Sequence, residues 1–262
     1  MKKIIRNALR SLTLTTLGSL SKPAKGIHLL NSHILAKQVI LDSTFFDHQL
    51  KTLSKKSTIV PFEEAVDLIN NKASVKHSLV AFSYDDGFKE CYTHIASVLE
   101  KYNGYACFFI NPNFVNGDSQ YVANFLSEKV HMPEYKSPMS WFQIKDLKAR
   151  GHMIGAHTMD HIRISELTDK NDIKHQIGEC QKVIFEEIGC KTEYFAFPYG
   201  HPNRDFGIDD VMIAKEFYNY IFSASNWKNY FSYDGLVYNR RHCEPYWKES
   251  HINYFLSKKI AY

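Results

Sequence analysis

The sequence predicts an α/β protein whose parallel strands close into an irregular barrel, with an open doubly wound sheet as the alternative. Three observations support this prediction. The 262 residues are a common length for one α/β barrel domain. Seven short apolar runs recur along the chain, and amphipathic helical patterns separate them. Such alternation is typical of a parallel sheet, and in both architectures the chemistry occurs at the carboxyl ends of the strands.

The seven predicted strands are continuous apolar runs that end in polar or turn residues. Such runs are typical of strands covered on both faces, because a solvent-exposed face would introduce alternating polar residues. They occupy residues 26–33, 77–87, 105–113, 152–158, 193–200, 220–226 and 235–242.

Helical patterns lie between these runs. Pro61 suits a first helical position and two acids follow it, which predicts a helix over 61–69. Apolar residues step by three or four through 88–102 and 173–188, and Gly189 can close the second of these helices. Helices are also predicted at 140–150, 208–219 and 246–259.

The net charge of +4 is unevenly distributed along the chain. Residues 1–41 contain seven basic residues and no acidic one, so the remainder is slightly acidic. We expect residues 1–25 to be a retained basic amphipathic segment, because the run after the first basic residues is short, rich in Thr and Ser, and without a small-residue cleavage site. Residues 26–262 are expected to form one folded domain.

The N-terminal segment has one predominantly apolar helical side. A basic amphipathic helix suits an anionic membrane surface, so residues 1–22 are a candidate for peripheral membrane contact. A basic helix or frayed tail without a partner is the alternative. The apolar residues are Ile5, Ala8, Leu9, Leu12, Leu17 and Leu20.

The five cysteines form an odd set without a CxxC pair. This pattern predicts reduced thiols and a cytosolic location, and it argues against a thiolate zinc site. Together with the basic N-terminal segment, it predicts a cytoplasmic protein with peripheral contact at the inner face of the membrane.

The stretch SYDDGF places Asp85 and Asp86 directly after an apolar run. Neighbouring side chains on a strand point to opposite faces, so both acids can enter one site only if the strand ends here. Gly87 permits such a turn. A metal ion would offset the repulsion, with one carboxylate binding it and the other ionised beside it. An acidic turn that caps the next helix is the alternative.

His157 and His161 follow another predicted strand and are four residues apart. If the loop begins as a helical turn, both imidazoles face one side. Two imidazoles and one carboxylate are typical of a catalytic zinc site with open positions, whereas two unrelated surface histidines are the alternative. Tyr199 ends a further strand in FAFPYG, where a backbone N–H can stabilise an oxyanion or the segment is a plain turn.

These motifs together resemble those of the polysaccharide deacetylases, carbohydrate esterase family four. FSYDDGF is similar to the family's TFDDG motif, HTMDH to its H-[ST]-x-x-H motif, and FAFPYG to the end of its third motif. MSWFQIKDLKARGHMIGAHT resembles the approach to the histidines, and the segment from FDHQLK to VDLI resembles the elements before the DDG strand. The resemblance covers nearly the whole chain, and motifs in this order are specific.

The resemblance implies a distorted (β/α)7-type barrel, with residues 26–262 as the catalytic domain, and a divalent ion, for which zinc is favoured. Carried over by position, Asp86, His157 and His161 would bind the ion and Asp85 would be the base. The implied reaction removes an acetyl, or a formyl, group from the nitrogen of an amino sugar in a surface glycan or its lipid-linked or nucleotide-linked precursor. The implied partner is a carbohydrate and not a nucleic acid.

One part of the family's pattern is missing. Many members carry an arginine in the third motif that orients the base, whereas this chain has Ala196 and Phe197 there. Arg240 or Arg241, at the end of the last predicted strand, is the candidate substitute, with a surface or sugar-binding cation as the alternative.

The general acid that protonates the leaving amine is also open. His242 lies in an altered form of the family's late motif, whereas His33 ends a first-strand segment similar to that of members acting on exopolysaccharides. We favour His33, and for each residue a structural histidine is the alternative.

Two other functions remain open. The chain could be a non-catalytic carbohydrate-binding protein that keeps the fold without the arginine and the acid. It could also be a glycosyltransferase whose carboxylates hold nucleotide-bound Mg²⁺, although both histidines would then have no role. The sequence identifies neither the sugar nor the acyl group, and the ligand set accepts several divalent ions.

Overall fold

The computed structural model describes residues 2–34, 42–132, 134–225 and 228–262, with side chains from residue 9 onward. The strands are β1 Gly26–Ser32, β2 Thr58–Ile59, β3 Ser78–Tyr84, β4 Cys107–Ile110, β5 Met153–Ala156, β6 Tyr194–Ala196, β7 Tyr220–Phe222, β8 Phe231–Ser232, β9 Val237–Tyr238 and β10 Arg241–His242. The α-helices are α1 Lys2–Leu20, α2 Ser43–Leu53, α3 Phe62–Asn70, α4 Ser97–Glu100, α5 Pro112–Asn116, α6 Ser119–Asn124, α7 Trp141–Ala149, α8 Lys170–Lys174, α9 Cys180–Ile188, α10 Ile208–Lys215 and α11 Glu249–Leu256.

The strands form one curled sheet in the order β10-β1-β3-β4-β5-β6-β7-β9-β8, with β2 also paired to β3. The pairings are parallel except that between β8 and β9. This architecture confirms the predicted distorted barrel in one domain, and each predicted strand segment contains a strand. The short strands β2 and β8 were not predicted by the apolar runs, and residue 226, the end of one predicted segment, lies outside the described residues.

The last predicted strand is divided into two pieces that pair with opposite ends of the sheet. β9 pairs with β7, whereas β10 pairs with β1. Asn239 and Arg240 lie between the two pieces, so the chain crosses from one end of the sheet to the other at these residues. The prediction of a single strand was therefore wrong here, and the crossing directs the Arg240 side chain inward, where it is fully buried.

Apolar clusters cover both faces of the sheet. Inside the curl, the rings of Phe109 and Phe222 are 5.6 Å apart between centroids, and Phe62 of α3 packs against both. On the outer face, helices bury residues such as Ile144 and Ile184 against the strands. This double coverage is the physical reason why the strands appear in the sequence as continuous apolar runs.

Helix ends follow local signals in the sequence. Ser140 and Gln143 form a capping box at the start of α7, and Gly189 ends α9 in a left-handed conformation with φ of 72°. The two longest predicted amphipathic helices are less regular than expected, because they contain the π-helical segments Cys91–Ala96 and His175–Glu179. Within the described ranges, we find no helix with the length and hydropathy needed to cross a membrane.

The Phe109 ring packs directly against Gly155 inside the barrel, where there is no room for a side chain at position 155. A Cβ atom at Gly155 would lie 2.4 Å from that ring. Gly155→Ala is expected to lower the free energy of unfolding by about 1–3 kcal/mol, because an extra methyl group in a packed core displaces its neighbours. Chemical denaturation of both proteins measures this difference.

Gly207→Ala is the control for this prediction. A methyl group there would be 3.8 Å from its nearest neighbour, Oδ2 of Asp210, and the φ of Gly207 is −114°. We expect the smaller loss at this position. An equal loss in both variants would contradict the packing explanation.

Candidate active site

β3 ends in a backbone turn that separates two neighbouring carboxylates. The Asp85 amide still donates to the carbonyl oxygen of Ser32 in β1, at 2.9 Å. Asp86 and Gly87 then adopt left-handed conformations, with φ of 73° and 81°. Both aspartates are fully buried. The N-cap position of the next helical segment is occupied by Glu90 and not by either aspartate. The strand therefore ends as predicted, and an acidic helix cap does not explain the pair.

Arg240 holds Asp85 through two hydrogen bonds. Its Nη1 and Nη2 donate to the two carboxylate oxygens at 2.7 and 3.0 Å, and both side chains are completely buried. Nε of Arg240 donates to the carbonyl oxygen of Ser223 at 2.8 Å, and Nη1 also donates to the Ser83 hydroxyl at 3.0 Å. The guanidinium lies 4.7 Å from the centroid of the Phe109 ring. These contacts hold it in one orientation.

This ion pair determines the protonation of Asp85. Burial would raise the pKa of its carboxyl group, but the Arg240 guanidinium, with His157 and His33, lowers the pKa well below the usual range. Asp85 is therefore ionised at neutral pH, which a general base requires.

Arg241, the other candidate left open by the sequence, points away from this site. It donates to the carbonyl oxygens of Phe255 and Lys258 at 3.0 and 2.7 Å, and its Nη1 lies 3.2 Å from Nδ1 of His28. Arg241 thus ties β10 to the carbonyl end of α11. Because neighbouring residues point to opposite sides, only Arg240 can reach Asp85.

Asp86, His157 and His161 converge in a small buried space. Oδ1 of Asp86 lies 3.2 Å from Nε2 of His161 and 3.6 Å from Nε2 of His157. The Asp86 oxygens and Nε2 of His157 have no hydrogen-bond partner in the described part of the chain. Three groups that are distant in sequence thus meet here, and the two histidines are not separate surface residues.

The tautomer of His157 follows from its contacts. Nδ1 lies 2.7 Å from the carbonyl oxygen of Ala196, which can only accept, so Nδ1 carries the hydrogen. The lone pair of Nε2 is therefore directed towards Asp86. Burial lowers the pKa of His157 to about 4, which keeps the ring neutral. For Asp86, burial would raise the pKa, but the neighbouring histidines, His161 first, lower it.

The loop between the two histidines is not the helical turn that the sequence analysis assumed. Thr158 and His161 adopt left-handed conformations, with φ of 63° and 51°. Asn111, at the end of β4, donates its side-chain amide to the carbonyl oxygens of His157 and Thr158. The histidines converge because this side chain holds the loop from the neighbouring strand.

Asp160, which belongs to the same loop, anchors it to neighbouring residues. One carboxylate oxygen accepts hydrogen bonds from Asn113 and Tyr121 at 2.7 and 2.6 Å, and the other accepts from Gln176 at 2.8 Å. Its carboxylate is therefore engaged in positioning the loop and is not part of the buried cluster with Asp86.

The cluster of Asp86, His157 and His161 suits a divalent metal ion. Tetrahedral ligands about 2.0–2.2 Å from zinc lie roughly 3.3–3.5 Å apart, close to the observed separations of 3.2 and 3.6 Å. Ligand atoms from the three side chains lie within 4.8 Å of one another. A buried carboxylate with unpaired oxygens is costly, and a cation would satisfy it.

A second polar cluster lies against Asp85. Nε2 of His33 is 3.5 Å from Oδ2 of Asp85, and Nδ1 is 3.7 Å from Oε1 of Glu244. Nε2 of His242 is 3.4 Å from the same glutamate oxygen. The ring centroids of the two histidines are 5.3 Å apart. Both candidate general acids therefore lie at the site, and Nε2 of His33 approaches the Asp85 carboxylate directly.

Glu244 is the centre of this second cluster. Its carboxylate accepts hydrogen bonds from the Ser32 hydroxyl at 2.7 Å and from the backbone amides of His33 and Ile34 at 3.1 and 3.0 Å. It therefore fixes the chain immediately after β1. Glu244 was not predicted as a site residue, although its position two residues after His242 was an available signal.

The histidines of this cluster differ in protonation. Burial would lower the pKa of His33, but Glu244 and Asp85 raise it to about 9. Burial would raise the pKa of Glu244, but the two histidines and Ser32 lower it to about 2. Burial lowers the pKa of His242 against the opposing effect of Glu244. At neutral pH, His33 carries a proton to donate and His242 is the neutral partner.

Tyr199 lies beside His161, with ring centroids 5.0 Å apart. Its φ is 59°, and its hydroxyl donates to the carbonyl oxygen of Lys129 at 2.9 Å. Its backbone N–H has no hydrogen-bond partner among the residues that the structure describes. The side chain is thus engaged elsewhere, and a role of the amide in stabilising an oxyanion stays a prediction.

The chain belongs to the polysaccharide deacetylase family. The family model for polysaccharide deacetylase matches residues 72–213, slightly more than half of the chain. One curated relative is YxkH of Bacillus subtilis (strain 168), which is assigned to the polysaccharide deacetylases. It is 23% identical over 188 residues, which cover 70% of this chain and 60% of YxkH.

Solved structures share the fold over most of this chain. IcaB from Ammonifex degensii has a TM-score of 0.69 with 22% identity, covering 90% of this chain and 99% of IcaB. The Streptococcus pyogenes deacetylase PplD, solved with acetate, has a TM-score of 0.66 with 17% identity over 90% and 99% of the two chains. A de-N-acetylase from Aggregatibacter actinomycetemcomitans has a TM-score of 0.62 with 18% identity over 88% and 98%.

Removing one partner of the Arg240–Asp85 pair is expected to destabilise the protein strongly. Arg240→Met leaves a buried carboxylate without its cation, and we expect a loss of about 3–5 kcal/mol. The double variant Arg240→Met/Asp85→Asn should lose less than the sum of the two single variants, because it leaves neither charge unpaired. Urea denaturation of the four proteins measures the coupling.

The exposed pair Lys174–Glu216, 2.8 Å apart, is the matched control. Lys174→Met should change the free energy of unfolding by less than about 1 kcal/mol, since solvent screens such pairs. Additive effects of the Arg240 and Asp85 substitutions would contradict the proposed interdependence.

Glu244→Gln is expected to change how stability depends on pH. The raised pKa of His33 contributes stability below about pH 6.5 that is lost as the pH rises towards 9. The lowered pKa of Glu244 contributes stability above about pH 4.5 that is lost as the pH falls towards 2. The wild-type advantage over the variant should therefore be largest between about pH 4.5 and 6.5, about 2 kcal/mol, and decline on both sides.

This comparison uses protein treated with a chelator, so that no bound ion contributes. Glu216→Gln, at an exposed position, is the control and should show no such pH-dependent difference. A Glu244→Gln effect that is constant between pH 5 and 9 would show that the His33 interaction does not depend on charge.

Proposed function

We propose that the protein is a metal-dependent N-deacylase that removes an acetyl, or a formyl, group from an amino sugar of a surface glycan or its lipid-linked or nucleotide-linked precursor. One observation carries this proposal. An ionised Asp85, oriented by Arg240, lies 3.5 Å from a protonated His33, and its neighbour Asp86 belongs to the cluster suited to a metal ion. Membership of the family supplies the reaction class, hydrolysis of an amide on a carbohydrate.

Hydrolysis of the amide needs a base, a cation and an acid. A divalent ion, for which zinc is favoured, supplies Lewis acidity when bound by Asp86, His157 and His161. Asp85 accepts a proton from the attacking water, because Arg240 keeps its carboxylate ionised and fixed in direction. The C–N bond then breaks, and the acyl group leaves as a carboxylic acid.

The leaving nitrogen needs a proton, and His33 is the proposed donor. Its pKa of about 9 keeps it protonated at neutral pH, and Nε2 faces Asp85 at 3.5 Å. His242 has a lowered pKa and pairs with Glu244. We therefore assign His242 and Glu244 to positioning His33. The unpaired amide of Tyr199 is the proposed donor to the developing oxyanion.

A non-catalytic carbohydrate-binding protein is the second candidate. The reasons to consider it were the missing third-motif arginine and the unidentified general acid. Arg240, between β9 and β10, makes two hydrogen bonds to Asp85, and His33 lies 3.5 Å from the same carboxylate. The glycosyltransferase hypothesis gives His157 and His161 no role, whereas both side chains lie against Asp86. Both observations favour the deacylase.

The experiment is an assay of acetate and formate released from N-acylated amino sugars and their oligomers, together with metal analysis. Asp85→Asn should retain its metal and lose about 10²–10⁴-fold in rate, because base catalysis typically contributes that much. His157→Ala should lose the metal as well as the activity. His33→Asn should lose more activity than His242→Asn.

His77→Asn is the matched control, since His77 is exposed and has no place in the proposed mechanism. Its activity should equal that of the wild type. Turnover that persists in Asp85→Asn would refute the mechanism. Saccharide binding without any release of acid in the wild type would instead establish the non-catalytic alternative.

A further inference from the structure

The N-terminal helix α1 has one face packed on the domain and one face without a partner among the described residues. Its inward face meets α11 closely, because Gly18 is buried and a Cβ atom there would lie 1.7 Å from the carbonyl oxygen of Ser250. Oγ1 of Thr15 lies 3.3 Å from Nε2 of His251. α1 is therefore a docked element of the domain, at least from residue 9 onward.

The outward face of α1, defined here as Leu9, Leu12, Leu17 and Leu20, is exposed. The side chains are exposed to 60%, 65%, 45% and 82%. Such a row of exposed leucines on one helix is unusual for a protein surface in water, since burying each would contribute roughly 1.5–3 kcal/mol. Four of the six apolar residues anticipated from the sequence are thus exposed after folding, whereas the side chains of Ile5 and Ala8 lie outside the described residues.

The charge of this segment of the sequence indicates which kind of partner covers the leucines. Lys2, Lys3, Arg6 and Arg10 lie in the first half of α1, and residues 1–41 contain no acidic residue. A second copy of the chain would bring two basic helices together and be repelled. A lipid surface with anionic headgroups provides both an apolar layer for the leucines and negative charge for the basic residues.

We infer that the outward face of α1 binds an anionic lipid surface while its inward face stays docked on α11. The helix lies in the plane of the interface and does not cross it. This inference stands independently of the proposed deacylase reaction, because it rests on exposure, docking and charge.

The docking also relates this surface to the candidate active site. Arg10, Ser11 and Leu14 line a cleft of about 260 Å³ together with Trp247 of the segment before α11. The Trp247 ring packs edge-on against His242, with centroids 5.2 Å apart. A lipid surface bound to α1 would thus be held at a fixed position relative to the His33 and Glu244 cluster.

The test is sedimentation of the full chain with vesicles of phosphatidylcholine alone and of phosphatidylcholine mixed with phosphatidylglycerol. The wild type should bind the mixed vesicles preferentially, and the preference should weaken as salt is raised. Leu9→Ser/Leu12→Ser/Leu20→Ser should reduce the partition coefficient at least tenfold. Lys2→Gln/Lys3→Gln/Arg6→Gln/Arg10→Gln should abolish the preference for phosphatidylglycerol.

Ile208→Ser/Met212→Ser is the matched control. These residues of α10 are exposed to 45% and 54%, so the substitutions remove comparable apolar surface away from α1. Vesicle binding should be unchanged in this variant, and circular dichroism should show the folded state in all proteins. Binding that is equal for both lipid mixtures, or unaffected by the leucine substitutions, would overturn the inference. So would a dimer that the leucine substitutions convert to a monomer.

Discussion

The buried ion pair between Arg240 and Asp85 is the constraint on which the site depends. Neither charge is exposed to water, so each is tolerable only because the other is present with correct geometry. The same pair keeps Asp85 ionised and points its carboxylate in one direction. Stability and the proposed chemistry therefore rest on one contact, which is made at the point where the chain crosses between the two ends of the sheet.

Strained backbone at the strand ends is the second feature of the site. Asp86, Thr158, His161 and Tyr199 all have φ between 51° and 73°, a region that costs non-glycine residues of order 1–2 kcal/mol each. The conformations persist because neighbouring contacts enforce them, such as the hydrogen bonds that Asn111 donates to Thr158 and Gln176 donates to Asp160 of the histidine loop. These left-handed conformations direct side chains into the site that a regular strand or helical turn would keep apart.

Most of the architecture was predictable because it depends on local pattern. Continuous apolar runs indicated strands buried on both faces, and proline, acidic residues and glycine indicated helix ends. The short strands β2 and β8 were missed, since two residues carry too little pattern. The prediction of one strand over 235–242 was wrong because the break at Arg240 has no local signal. The break depends on which strands each half pairs with.

The sequence by itself determined the candidate residues: an acid pair after one strand, two histidines after another, and two possible arginines and two possible acids elsewhere. Residue type and order are enough for this, because chemistry at the carboxyl ends of strands leaves polar residues at fixed places in the pattern. Only the tertiary structure showed that Arg240 and not Arg241 binds Asp85, and that His33 and His242 both lie against Glu244. The physical reason is that these choices depend on which side of the backbone a side chain faces and on charges that approach each other only in the folded chain.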